Sequence, residues 1–391
     1  MDILSVDFLQ IHCLTHLEVY KNTIKPFIRK KGCIMSKKIG ILTFVDTVNF
    51  GAELQCFALY KAISDFGHEP EVLVYESPQI KKNESSRRFS EIRSVKNLGG
   101  WVLGKLIKEP SQKKFLAFAQ KNMSRRLMDD KDFYSQCSGL DVIVVGSDQV
   151  WNLNLTGHDW QFFLPGKTDI RKTSYAASFG NTDFTQEECE KMRALLKDFA
   201  AVGIREKTGV ELCENKLQIS AAQVLDPTLL LDASTWTAKA VPVKVPKKYV
   251  LAYAVGMEKQ VAERAKEIAK EMECPVVLIR SPYSIKPTFG VKNVMAASPE
   301  QFLYLFKHAS YVVTSSFHGS CFSLIMNKNF TSVLNDGKKN RNSRLTSLLE
   351  TIGATDALDS SRISNLNYCQ INEALKKERG KSLKFLSNAL S

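Results

Sequence analysis

The stretch TSSFHGS (Thr314–Ser320) sets an imidazole among small hydroxyl residues and a glycine, between two apolar runs, YVVT and CFSLIMN. This spacing reads as the carboxyl end of a strand turning into a helix that begins near Ser320. The first turn of a helix offers unpaired N–H groups and the positive end of its dipole, so the junction can receive an anion. Ser315, Ser316 and Ser320 would add hydroxyl donors. Gly319 would let backbone approach the ligand, and His318 would project where a phosphate sits. The alternative is a capped helix with a core histidine; the strand–turn–helix context favours the anion site.

Three other junctions carry groups of the same kind. GSDQVWN (146–152) follows the apolar run VIVV and puts Asp148 at the mouth of a cleft, with Gln149 beside it. Trp151 would form a wall for a sugar face, or else sit in the core below a turn. GIREKTG (203–209) ends a strand in Arg205 and Glu206. Such charges are seldom buried without partners, and the guanidinium fork suits carboxylate or phosphate. An internal Arg–Glu pair is the alternative. VDTVNFGAELQ (45–55) places Asn49 and Gly51 at the first strand-to-helix junction, without the GxGxxG spacing of a dinucleotide site. KKNRNSR (338–344) brings Lys338, Lys339, Arg341 and Arg344 before a helix, to close over an anion or to lie in solvent. LDPT (225–228) reads as a structural turn.

The elements that must hold these residues alternate. KKIGILTFV (37–45), a helical pattern over 49–67 and EVLVY (71–75) make a β-α-β opening, hence a parallel sheet. Strands are expected at 141–146, 173–179, 201–206 and 222–227, with helices at 185–199 and 207–215. Residues 241–248, VPVKVPKK, read as a linker. A second series follows: strands at 249–255, 275–279, 311–314 and 330–334, helices at 258–272, 299–308, 320–327 and 343–352. The expected fold is α/β, two Rossmann-like domains facing a cleft. The division is 1–35 as an N-terminal extension, 36–240 as the first domain on the acceptor side, 241–248 as linker and 249–391 as the second domain on the donor side. Ligands of such sheets bind beyond the carboxyl ends of the strands.

Composition narrows the class. At 391 residues and 44% hydrophobic, the chain can bury two cores. It has no run of about 18 apolar residues for a membrane span, and its first residues lack the order of a secretory signal. The domain reads as starting at Met35, with the preceding segment an upstream extension rather than a helix packed on the body. Nine irregularly spaced cysteines without a CxxC pair fit a reducing compartment and argue against a zinc site. The net charge of +13 is concentrated in residues 81–126, with thirteen Lys/Arg against three Asp/Glu. Trp101, Phe115 and Phe118 interrupt that segment. It is either a solvated helical face or a surface that meets an anion: a lipid headgroup, a lipid diphosphate or a charged polymer. No nucleic-acid recognition motif is present.

Taken in order, NFGAELQ, VVGSDQVWN, SYAASFG, GIREKTG, VLDPTLLL, SSFHGS and RNSRL resemble the polysaccharide pyruvyl transferase family over about residues 37–350. The resemblance implies a GT-B-like architecture and transfer of the enolpyruvyl carbons of phosphoenolpyruvate to two hydroxyls of one sugar. The products would be a cyclic ketal and phosphate. The acceptor would be a surface polysaccharide or its lipid-linked precursor. The family's histidine falls on His318 and its arginine on Arg205. Some branches carry an arginine two positions before the histidine; this chain has Ser316 there, so either another cation (Lys338, Lys339, Arg341 or Arg344) takes over or the donor is held differently.

On that footing the donor, phosphoenolpyruvate, would meet Arg205, Ser315, Ser316, Gly319, Ser320, Arg341 and Arg344. His318 would serve the departing phosphate, since imidazole titrates near neutral pH. Asp148, or else Glu206, would be the base. Asn49, Gly51, Gln149 and Trp151 would hold the acceptor glycan. No metal or other cofactor is expected, because the cations and helix dipole supply the positive field. The expected location is cytoplasmic, with segment 81–126 favouring the inner membrane face at ~1 kcal/mol per cation. The rival expectations are a nucleotide-sugar glycosyltransferase of the same architecture and a non-catalytic glycan- or anion-binding relative.

Overall fold

Short aliphatic runs such as VIVV, VLAY, VVLI and YVVT become strands buried along their whole length. A parallel sheet covered by helices on both faces demands that pattern. The computed structural model describes residues 35–84, 95–129, 132–280, 288–334, 339–358 and 362–391. The expected N-terminal extension, apart from Met35, lies outside the described residues.

The first sheet contains β1 (Lys38–Leu42), β2 (Glu69–Val74), β3 (Arg125–Leu127), β4 (Val142–Val145), β5 (Arg171–Ala177), β6 (Phe199–Ile204) and β7 (Ala222–Gln223). Their spatial order is β3-β2-β1-β4-β5-β6-β7, all parallel. The second contains β8 (Val250–Tyr253), β9 (Val276–Ile279), β10 (Lys292–Val294), β11 (Tyr311–Thr314) and β12 (Phe330–Ser332), in the order β10-β9-β8-β11-β12, again parallel. The strand order reverses between β1 and β4 and between β8 and β11. These are the switch points where a doubly wound sheet opens a crevice. The fold is two Rossmann-like domains in a GT-B-like arrangement.

The principal helices are α1 (Phe50–Asp65), α2 (Pro78–Glu84), α3 (Val95–Asn122), α4 (Gln186–Leu196), α5 (Glu258–Glu271), α6 (Pro299–His308), α7 (Phe317–Ile325), α8 (Lys339–Ile352) and α9 (Tyr368–Leu390). Their ends follow local chemistry. Asn49 caps α1, and Thr185 and Ser298 close capping boxes on α4 and α6. In α5, Val261, Ala262, Ala265, Ile268 and Ala269 form the buried stripe that the helical period predicts.

One apolar cluster spans both domains. Phe50 of α1 stacks on Phe302 of α6, with ring centroids 4.6 Å apart, and meets Tyr253 at the end of β8 edge-on. Trp236 links Phe57 of the first domain to Phe322 of α7. An interface built from aromatic rings restrains the domains more firmly than a polar one would.

Two expectations are revised here. The second domain does not keep residues 249–391 to itself: α9 returns to the first sheet. Leu383, Leu386 and Leu390 pack with Ile39, Val142, Val144 and Tyr175. Arg171 Nε donates to Ala389 O, and Leu225 N to Ser382 Oγ. Residues 241–248 carry no helix or strand, and Val241 N donates to Glu300 O.

The second revision concerns the basic segment. Its residues 85–94 lie outside the described residues. In α3, Phe115 and Phe118 are core side chains packed with Phe50 and Phe57, so they are not offered to a lipid surface. No helix among the described residues is long and apolar enough to cross a membrane.

Candidate active site

Four loops at the carboxyl ends of β4, β5, β6 and β7 meet the N-terminus of α7. Parallel pairing aligns them. Arg205 N donates to Ala177 O at the end of β5, and Ser178 N donates to Asp148 O just past β4. Asp148 sits at φ 73°, a left-handed backbone that Asp tolerates better than most residues.

The centre of the cluster is Asp226. It is 1% exposed, and Arg205 Nη1 donates to its Oδ2 at 3.0 Å. Ser147 Oγ donates to the same oxygen at 3.2 Å. The N–H and hydroxyl of Thr228 donate to Oδ1 at 3.0 and 2.7 Å. From the other domain, His318 Nε2 stands 3.5 Å from Oδ2, an ion-pair distance without hydrogen-bond alignment. Burial alone would raise the Asp226 pKa. His318 and Arg205, with the Thr228 bond, overturn that and hold the carboxyl well below the usual range.

Arg205 also donates from Nη2 to Asp148 Oδ1 at 3.3 Å, and its guanidinium lies 4.7 Å over the ring of Phe317. Burial would lower its pKa, but Asp148, Asp226 and Glu206 more than offset that and raise it. Asp148 Oδ1 takes a second bond from Gln149 N at 2.9 Å. Glu206 Oε1 accepts from Phe179 N, and burial raises this carboxyl against the opposing pull of Arg205 and Arg344.

Arg344 comes from α8. Burial lowers its pKa to about 10, with Arg205 adding to the fall and Glu206, Asp148 and Asp226 opposing it. Among the described residues it makes no ion pair. Among the described residues, four buried atoms of this one cluster lack a hydrogen-bond partner: Arg205 Nε, Arg344 Nε, Glu206 Oε2 and His318 Nε2. Folded proteins rarely leave buried polar atoms unpaired, so their concentration at one junction marks a place built for something else. The cavity beside Arg205, Asp226 and Phe317 is about 50 Å³, room for water.

The expected site residues divide. His318, Arg205, Asp148, Glu206 and Arg344 come together. The serines do not converge on a ligand. α7 begins at Phe317, earlier than the expected start near Ser320, because Ser316 is the cap and accepts from Gly319 N. Ser320 is fully buried against Ser332 Oγ. Ser315 turns to the second sheet's switch point, where it donates to Gly256 O.

The glycines serve packing. A Cβ at Gly319 would lie 2.2 Å from Thr314 Oγ1, and one at Gly51 2.0 Å from His318 Nδ1. Asn49 is engaged as the α1 cap, and Gln149 accepts from Asn152 Nδ2. Trp151 is no sugar wall. It is fully buried, stacked on Phe163, and its Nε1 donates to Phe162 O. The Arg341 side chain and Lys338 lie outside the described residues.

Asp226 is the residue the sequence reading passed over as a turn. The signal was present: a carboxylate inside the apolar run VLDPTLLL has to be paired. A second unusual carboxylate is Glu53 in the first turn of α1, 3% exposed. Burial raises it to about 8, with Asp46 adding and Arg125 opposing.

Two parallel Rossmann-like sheets whose loops meet across a junction of cations and carboxylates define a GT-B-like protein. The sequence profile of the polysaccharide pyruvyl transferases matches residues 49–337, and the chain belongs to that family. No curated protein matches the sequence. Solved structures with a similar backbone include the UDP-GlcNAc 2-epimerase of Methanocaldococcus jannaschii, in complex with UDP-GlcNAc and UDP (TM-score 0.41, 13% identity, 80% of this chain and 87% of that one). S. aureus MnaA, in a co-structure with UDP, is also similar (0.46, 12%, 84% and 92%). So is the Neisseria meningitidis UDP-GlcNAc 2-epimerase bound to UDP-GlcNAc (0.44, 10%, 90% and 99%).

Proposed function

We propose that the chain transfers the pyruvyl carbons of phosphoenolpyruvate to two hydroxyls of one sugar in a polysaccharide or its lipid-linked precursor, forming a cyclic ketal and releasing phosphate. Membership of the family supports the class of reaction. The observation that carries the site is the set of unpartnered buried atoms shared by Arg205, Arg344, Glu206 and His318.

In this reading Arg344 takes the place left by Ser316. Its guanidinium, without a carboxylate partner among the described residues, meets the phosphate or carboxylate of the donor, and Arg205 helps to neutralise the pair. The donor displaces water and spreads the cluster as it enters. Two protons leave the sugar hydroxyls. One balances protonation of the donor methylene, which becomes the ketal methyl group; the other leaves with the phosphate. His318, held over Asp226, gives a proton to the departing phosphate. Asp148 has Oδ1 fixed by Arg205 and Gln149, and turns Oδ2 to the attacking hydroxyl. Asp226 positions His318 and Arg205 and touches no substrate.

The test is phosphate release from phosphoenolpyruvate with acceptors bearing galactose, mannose or N-acetylhexosamine, wild type beside His318→Ala. Acceptor-dependent release that disappears in the variant is expected. Release that is independent of acceptor, or no release with any of them, would overturn the reading.

A further inference from the structure

A second cavity lies away from the ionic cluster, beyond the carboxyl ends of β1 and β2. It measures about 280 Å³. Phe44, Val74 and Phe162 are buried and make its floor, with the half-buried Tyr75 beside them. Asp46, Glu76 and Gln112 stand around it. We propose that this cleft binds an uncharged sugar residue of the glycan acceptor, one unit removed from the residue that is modified. The proposal rests on the pyruvyl-transfer reading for the identity of the polymer, and on the cleft itself for the rest.

Three observations support it. The first is shape and surface. An aromatic and aliphatic floor under carboxylate, hydroxyl and amide groups suits a pyranose, which has an apolar C–H face and a rim of hydroxyls. The volume lies near the lower bound of about 300 Å³ for small-molecule clefts, so it fits a single ring.

The second is charge. Asp46 pairs with Arg125 and Glu76 with Lys81, so the lining carries no surplus cation for a phosphate. The cluster around Arg344 differs, because that guanidinium has no ion-pair partner among the described residues. The two places therefore select different chemistries.

The third is continuity. Thr43, in the cleft wall, donates to Ser147 O at 2.8 Å, and Ser147 Oγ donates to Asp226. The loop after β1 lines the cleft through Asp46 and Thr47 and runs on to Asn49 and Gly51, where it meets His318. One loop borders both places, as binding adjacent units of one glycan requires.

The test uses the full chain and saturation-transfer NMR with methyl glycosides of galactose, mannose and N-acetylglucosamine, and with disaccharides ending in each. Ile80→Trp fills the cleft from α2, and Gln112→Ala removes a polar group from its edge. His318→Ala is the control that leaves the cleft intact. At least one saccharide should bind wild type and His318→Ala alike, lose at least tenfold in affinity in Ile80→Trp, and weaken in Gln112→Ala at an unchanged melting temperature. Binding unaffected by both cleft variants, or no binding to wild type, would overturn the proposal. Phosphate release separates the two claims. Saccharide binding in the cleft without any release would sink pyruvyl transfer and leave the sugar site standing. Release with the same acceptor KM in wild type and both cleft variants would do the reverse.

Discussion

His318 Nδ1 occupies the space that a side chain on residue 51 would need: a Cβ there would lie 2.0 Å from it. The glycine of the first domain thus fixes the imidazole of the second. Gly51→Ala should push the ring off Asp226 and lower turnover by about 10²-fold, the scale of a misplacement near 1 Å. Circular dichroism should report an intact fold. Turnover within a few-fold of wild type would show that the contact does not set the ring's position.

Asp226→Asn removes the charge that Arg205 and His318 share. Breaking a buried pair by deleting one partner costs about 3–5 kcal/mol, and urea unfolding at neutral pH should show a loss of that order. The sign of the pH effect follows from the depressed pKa. The stabilisation from Asp226 is full above the ordinary carboxylate range and is lost as pH falls through the folded value. The gap between wild type and variant should therefore close in strongly acidic solution.

Arg344→Met should separate binding from stability. Burial disfavours this charge, and among the described residues no carboxylate pairs with it. Removing it should leave the melting temperature unchanged or higher, while phosphoenolpyruvate binding by calorimetry falls at least tenfold. Arg205→Met, which strands Asp226 and Asp148, should instead destabilise. A variant at 344 that melts lower and binds the donor normally would assign the residue to structure.

Glu53 carries the opposite pH signature. Its folded pKa of about 8 lies above the unfolded value, so the folded state holds the proton more tightly. Wild-type stability should fall as pH rises from about 4.5 through 8. Glu53→Gln has no such proton to lose. Its melting temperature should exceed that of wild type by a margin that widens between pH 5 and pH 9; a constant margin would contradict the raised pKa.

The alternation of short aliphatic strands and helical patterns made both sheets legible, because parallel strands buried on both faces show as continuous apolar runs. The junction residues were legible as well. Arg205 and Asp148 stand at strand ends, and His318 stands in a strand-to-helix turn. Four things escaped. Asp226 looked like turn chemistry because its partners come from distant loops. Trp151 stayed open between a sugar wall and the core, and Phe115 went with the basic surface segment, because an aromatic side chain carries no mark of which face it takes. The cap of α7 shifted from the region of Ser320 to Ser316, since Ser, Phe and His all allow a helix to start and tertiary packing of Gly319 on Thr314 decides. The return of α9 escaped because no helix was read beyond 343–352, and a helical pattern would in any case name its apolar stripe but not the sheet that receives it.

That return orders events during synthesis. The outer face of β1, β4 and β5 is completed by Leu383, Leu386 and Leu390, which leave the ribosome only after the whole second sheet. Until then that face of the nascent first domain is covered only in part, by Leu59, Ala62 and Ile63 of α1, and the rest is apolar surface of the kind that invites aggregation. A ribosome stalled in the loop before α9 would hold a protein with nearly every site residue in place and no means of closing its own core.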